Sequence, residues 1–149
     1  MEKIRTVNGD VDIKGPVSDV RATTTNGSIF INGASGELYF STTNGRVNAK
    51  DVSGEITAKS TNGRIILDID SITDAITART TNGGIFLTVG SEDFDADIEA
   101  RTTNGRVNID FPVTIKGGYM SKRSLDGRIG DGGPLISLKT TNGGIKILN

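Results

Sequence analysis

Basic side chains recur at one position of a repeated pattern, three residues before an Asn-Gly or Asp-Gly dipeptide. They are Arg5, Lys59, Arg79, Arg101, Arg123 and Lys139. If the repeats stack as coils about 4.8 Å apart, the last five of these side chains form a column of positive charge. Such a column could bind a linear polyanion or glycan, such as teichoic acid, an acidic polysaccharide or nucleic acid, through regularly spaced anionic groups.

The same column has a second interpretation as a solvated face. Four acidic residues precede it on the same predicted strands and could neutralise it: Glu37, Glu55, Asp97 and Glu99. Charged sheet surfaces also protect against aggregation. Four further arginines follow a turn glycine directly and could widen the basic column. They are Arg46, Arg64, Arg106 and Arg128.

The amino-acid composition excludes most common types of enzyme active site. The 149 residues include no histidine and no cysteine, which rules out Ser-His-Asp triads, histidine-bound metals, thiol nucleophiles and disulfides. Acidic residues such as Asp93 and Asp95 could hold calcium or serve a carbohydrate-cleaving β-helix, but no complete calcium-loop motif is present. We therefore expect no enzyme activity, no cofactor and no metal, with a carbohydrate-active enzyme as the third-ranked alternative.

Net charge and hydropathy limit the classes of partner that we expect. The net charge is −1, from 17 basic and 18 acidic residues, so we do not expect nucleic acid as a partner. No apolar run reaches the length that spans a membrane.

The positions of the dipeptides define eight repeats. They are Asn8-Gly9, Asn26-Gly27, Asn44-Gly45, Asn62-Gly63, Asn82-Gly83, Asn104-Gly105, Asp126-Gly127 and Asn142-Gly143. Successive dipeptides are 18, 18, 18, 20, 22, 22 and 16 residues apart. This period predicts one domain over residues 1–149, an all-β parallel β-solenoid of about eight coils with Asn-Gly corners.

Alternating apolar residues predict a strand on each side of every dipeptide. Leu38, Phe40 and Thr42 share one face before the turn, whereas Val47 and Ala49 fall on the opposite parity after it. Only a corner can reset this parity. We expect the glycines to supply positive φ and the asparagines to stack as an internal amide ladder.

An antiparallel β-meander is the alternative fold, because Asn-Gly between alternating strands is also a strong hairpin signal. The parallel solenoid is favoured because stacking in register places like residues over like: Ile over Ile, Thr over Thr and Asn over Asn.

The segment at positions 42–49, TTNGRVNA, represents a pattern that resembles bacterial adhesin-like domains of unknown function over essentially the whole chain. Bactofilin-like cytoskeletal solenoids are a looser resemblance. The first resemblance implies a non-enzymatic structural or adhesive module of the cell envelope or extracellular surface. The chain shows no export signal or anchor, so a cytoplasmic location is the alternative.

The ends of the predicted rod carry no recognisable cap, and the chain stops on the core strand around Ile147. Open ends would allow end-to-end self-association, which makes a filament-forming scaffold the second functional hypothesis. The seventh repeat departs most from the pattern, with Lys122, Leu125, Asp126 and Asp131 at otherwise regular positions. It is either a weakened coil or a local cap.

Overall fold

The chain folds as a parallel β-solenoid, in agreement with the sequence prediction. The computed structural model describes residues 2–70, 74–90, 95–110, 115–120, 123–129 and 131–148. In these ranges it contains fourteen strands and no helix. The strands are β1 (Glu2–Arg5), β2 (Val11–Thr24), β3 (Ile29–Thr42), β4 (Val47–Val52), β5 (Glu55–Ser60), β6 (Ile65–Ile69), β7 (Ile76–Arg79), β8 (Ile85–Val89), β9 (Ala96–Thr102), β10 (Val107–Asp110), β11 (Ile115–Met120), β12 (Ser124–Ile129), β13 (Leu135–Thr140) and β14 (Ile145–Leu148).

Each Asn-Gly turn joins strand segments that belong to two different sheet surfaces. The pre-turn sheet contains the segments that lead into the turns, and the post-turn sheet contains those that leave them. Strand β3 contributes to both, because its first half pairs with β4 and its second half with β5. A turn with its two flanking segments is called a rung below.

Neighbouring rungs pair in parallel and in register, which rules out the meander. Ile29 pairs with Val47 in the post-turn sheet, and Leu38 pairs with Ile56 in the pre-turn sheet. Like residues therefore stack on like residues, as the repeat pattern predicts.

The core lies between the two sheets and is formed by the predicted inward columns. Leu38 and Phe40 from the pre-turn sheet and Ile29 and Ile31 from the post-turn sheet are buried, as are their equivalents on other rungs. Alternation along each strand places every second side chain in this core and the others in solvent. The core is thin and continuous along the rod.

The stacking order departs from the order of the repeats in the sequence. Strand β13 lies between β7 and β9, and β14 lies between β8 and β10. The C-terminal rung is thus inserted between two rungs that are consecutive in the chain. Ile147 is fully buried within the stack rather than at its end, contrary to the sequence expectation.

The seventh repeat does not form a coil. Asp126 and Gly127 lie inside β12 and pair with Glu99 and Ile98, so they are not a turn between coils. Strand β12 runs antiparallel to β9, and β11 runs antiparallel to β12. The described Asn-Gly turns therefore stack as seven rungs, and the seventh repeat is the local cap of one sheet.

The two ends of the rod differ. In the described part of the chain, β1 pairs only with β2, and β10 pairs only with β14. The edge of β9, in contrast, is covered by β12. In the pre-turn sheet this end of the described chain is therefore formed by β11, which pairs only with β12, and not by a strand of an Asn-Gly rung.

Candidate functional site

A row of asparagines runs along the turn edge of the rod, as the sequence predicts. The Nδ2 group of each asparagine donates to Oδ1 of the asparagine on the preceding rung at 2.7–2.8 Å. The order is Asn8, Asn26, Asn44, Asn62, Asn82, Asn142 and Asn104. The row is exposed, not internal, because the chain turns outward at the rim where the two sheets meet.

Buried hydroxyl groups hold each turn to the one before it. Thr42 Oγ1 donates to the carbonyl oxygen of Gly27 at 2.8 Å, and Thr140 Oγ1 donates to that of Gly83 at 2.8 Å. The same contact recurs at other rungs and explains why the position two before Asn is Thr or Ser. Its acceptors follow the stacking order, since Thr102 bonds to Gly143 and not to Gly83.

The turn glycines are required by space and not by positive φ. The positive φ values of 85°, 89° and 103° occur instead at Gly33, Gly36 and Gly54, in the second corner. At Gly45, a Cβ atom would overlap the carbonyl oxygen of Gly27 on the preceding rung. Parallel stacking of the turns brings the backbones this close, and only glycine fits.

Four of the five predicted polyanion-binding residues lie on adjacent rungs. Their order in the pre-turn sheet is Lys59, Arg79, Lys139 and Arg101. Arg123 is outside this column, because it precedes the antiparallel strand β12 and its carbonyl oxygen accepts the Thr102 N–H at 2.9 Å. Register in an antiparallel strand places Ser124, not Arg123, beside Arg101.

One carboxylate lies beside two of the four cations of the column and offsets one of their two positive charges. Glu99 Oε1 lies 3.4 Å from Nε of Arg101 and 4.0 Å from Nζ of Lys139. In the ranges that the structure describes, Lys59 and Arg79 have no carboxylate within 4 Å. The solvated interpretation therefore fits the Glu99 end. Toward the other end, Glu37 and Glu55 line a groove with Arg21 but form no ion pair within 4 Å in the described chain.

The positive surface extends to cations that the repeat alignment missed. Lys3 pairs in register with Arg21, and both stand two residues before the predicted column; Arg5, a member of that column, lies on the same strand as Lys3. Lys3, Arg5 and Arg21 line a surface groove of about 420 Å³. Cross-strand register was the missing information, because the two residues are 18 positions apart in the sequence.

Tyr39 joins the two halves of this surface. Its ring lies 4.8 Å from the guanidinium carbon of Arg21 and 5.6 Å from Nζ of Lys59. Cation–π contacts of this kind contribute roughly 0.5–1 kcal/mol each at exposed sites. The basic face is defined as Lys3, Arg5, Arg21, Lys59 and Arg79, all of which are exposed.

The remaining predicted positions lie outside the basic face. Arg128 does not widen the column but pairs with Asp97, at 3.4 Å from Nε to Oδ1. Asp93 lies outside the described residues. Among the described residues no three acidic groups come close enough to share a metal ion, and no helix is long and apolar enough to cross a membrane.

Comparison with known protein families gives a match to the chain. The model of the family described as Toastrack DUF4097 matches residues 2–148. Neither the curated proteins nor the solved structures include a match to the chain.

Proposed function

This chain belongs to the Toastrack DUF4097 family of domains of unknown function, and we propose that it is a non-enzymatic structural module that binds a linear polyanion along its basic face. The observation that carries this proposal is the arrangement of five exposed cations on one sheet surface. Among the described residues, none of the five has a carboxylate within 4 Å.

The spacing of the basic face suits a ligand with many charges. Lys59 and Arg79 lie on adjacent rungs, about 4.8 Å apart, where two unit charges repel by roughly 1 kcal/mol in water. From Lys3 to Arg79 the face crosses five rungs, a length of about 19 Å. A polyanion lying along the rod would relieve the repulsion and release its own bound counterions.

We place this activity at the bacterial cell envelope or extracellular surface. The support is the resemblance of the TTNG repeats to adhesin-like envelope domains, together with a parallel β-solenoid whose pre-turn sheet presents exposed cations on successive rungs. An acidic polysaccharide or a teichoic acid has the required linear arrangement of anionic groups.

Charge reversal on the basic face tests the proposal. The probe is dextran sulfate, and binding is measured by isothermal titration calorimetry at several salt concentrations. The variant K59E/R79E should bind at least about tenfold more weakly and show a shallower salt dependence, because two cationic contacts become repulsive.

The matched control is K50E/K146E, which makes the same charge change at exposed positions of the post-turn sheet. We expect it to bind within about threefold of the unsubstituted protein, since only long-range charge changes. Equal losses in both variants, or no binding by the unsubstituted protein at low salt, would refute binding along the basic face.

A second candidate function is a scaffold that assembles end to end. It is favoured by the edges of β1 and β10, each of which pairs on one side only in the described chain. Such edges offer backbone groups to a strand from another copy.

A proline in β1 tests this scaffold. The Thr6 N–H donates to Thr23 O, so by strand alternation the Lys3 N–H points away from β2. Filaments seen by negative-stain microscopy should disappear in K3P and persist in K3A. A monomeric mass by light scattering at every concentration would contradict end-to-end assembly.

A further inference from the structure

The first residue after each turn glycine forms a second column on the turn edge, and its first members cap backbone groups. Asp10 Oδ1 accepts the Ser28 N–H at 2.8 Å. Ser28 Oγ is 3.4 Å from the Arg46 nitrogen in the same arrangement on the next rung. On these rungs a side-chain oxygen from one rung meets the backbone N–H of the next.

The capping stops where the column changes composition. From the third rung onward its members in stack order are Arg46, Arg64, Gly84, Gly144 and Arg106, as the register of the residues that follow them shows. Neither arginine nor glycine has a side-chain acceptor. The backbone N–H groups of Arg64, Gly84, Gly144 and Arg106 consequently have no acceptor in the described part of the chain.

Two of these amides, those of Arg64 and Gly84, belong to residues that line a groove beside positive charge. A groove of about 470 Å³ runs between the asparagine row and this column, and Arg46, Arg64 and Gly84 line it. The guanidinium carbon of Arg64 lies 5.5 Å from the ring centre of Phe86, which is on the next rung. Arg64 therefore extends over the rung of Gly84, where the edge of the Phe86 ring lies 3.3 Å from the position of a Gly84 Cβ atom; beside Gly144, by contrast, a Cβ atom would meet only the Arg106 carbonyl oxygen.

We propose that the backbone N–H groups of Arg64, Gly84, Gly144 and Arg106, called the amide row below, form an anion site that takes phosphate groups of a linear chain. Beside Gly84 and Gly144, a phosphate oxygen would take the position that the Asp10 carboxylate oxygen has on its own rung. It would accept a hydrogen bond from the backbone N–H of the following rung, as Asp10 Oδ1 accepts from Ser28. Adjacent backbone N–H groups and arginines are a common combination for binding phosphate. The amide row lies at the start of the post-turn strands and is separate from the basic face. This proposal therefore does not depend on the function proposed above.

Titration with tripolyphosphate, followed by amide NMR of the 15N-labelled full chain, tests the amide row directly. The amide signals of Arg64, Gly84, Gly144 and Arg106 should shift together and saturate. Orthophosphate should bind the same amides at least about tenfold more weakly, because only one group is held at a time. Equal affinity for the two probes contradicts a row that binds several phosphates.

The variant G144D supplies an internal carboxylate at the centre of the row. A Cβ atom at Gly144 would meet only the Arg106 carbonyl oxygen, at 3.4 Å, so the substitution fits. We expect tripolyphosphate binding to weaken about tenfold or more, because the carboxylate caps the Arg106 N–H and repels phosphate. The control G144A adds a methyl group without an acceptor and should bind within about twofold of the unsubstituted protein.

The basic-face variant K59E/R79E separates the two surfaces. It should keep the amide shifts of the row even where it loses dextran sulfate. Unmoved row amides at saturating tripolyphosphate, unchanged binding by G144D, or loss of the shifts in K59E/R79E would each overturn the amide row as a phosphate site.

Discussion

Paired cysteines on the pre-turn sheet should cross-link according to the stacking order of the rungs, which differs from their order in the sequence. The chain contains no native cysteine, so each pair reports without background. Three double variants address the insertion of the C-terminal rung: R79C/K139C, K139C/R101C and R79C/R101C.

The expected outcome follows from the register. Lys139 pairs with Arg79 on one side and with Arg101 on the other, so each of these pairs is one rung, about 4.8 Å, apart. Arg79 and Arg101 flank Lys139 and are two rungs, about 9.6 Å, apart. A disulfide requires Cα atoms within about 7 Å, so the first two pairs should form and the third should not. Closing a loop of roughly 40 residues in K139C/R101C should add about 4 kcal/mol to the free energy of unfolding.

Mild oxidation of dilute protein, non-reducing electrophoresis and peptide mass mapping give the readout. Single-cysteine variants identify any cross-links between molecules. Rapid cross-linking of R79C/R101C without cross-linking of the two Lys139 pairs would mean that the rungs stack in sequence order, and the inserted C-terminal rung would be refuted.

Two further predictions concern the contacts of the Gly27 carbonyl oxygen and use matched substitutions. The variant T42V loses the buried hydroxyl bond to Gly27 and should lower the free energy of unfolding by about 1–2 kcal/mol in urea titrations, whereas T43V, at an exposed neighbour, should change it by less than about 0.5 kcal/mol. Similar losses in both would show that the hydroxyl bond does not stabilise the turn. The variant G45A places a methyl group against the Gly27 carbonyl oxygen and should cost about 1–3 kcal/mol, whereas G144A, with open space, should change stability by less than about 1 kcal/mol in thermal unfolding. An unaffected G45A protein would contradict close stacking of the turns.

Local pattern predicted most of the fold. Strand alternation identified inward residues such as Leu38, Phe40 and Val47, and the repeated dipeptide identified the corners and the asparagine row. These features depend on neighbours within about 20 residues, and the same signal recurs on every rung. The prediction of positive φ at the turn glycines was wrong because their constraint comes from the next rung, not from their own backbone.

The candidate surfaces were predicted only in part. Lys59 and Arg79 were identified from spacing, and they belong to the basic face. The contributions of Lys3 and Arg21, and the neutralisation of Arg101 by Glu99, depend on which strands are neighbours. The acceptor-free amides of the second column likewise appear only when the rungs are stacked.

The sequence by itself determined that the chain is a stack of similar rungs with Asn-Gly turns, because each repeat specifies its own turn and its own inward face. Tertiary structure decided the order in which the rungs stack. Near-identical repeats offer near-identical partners, so pairing β13 with β7 and β9 satisfies the same local rules as pairing β7 with β9 directly. In the observed arrangement, β12 pairs antiparallel with β9 and so fixes the register of Asp126 and Arg123. This pairing distinguishes the observed order, with β13 between β7 and β9, from one in which β7 pairs directly with β9. Only the packing of the whole chain selects between them.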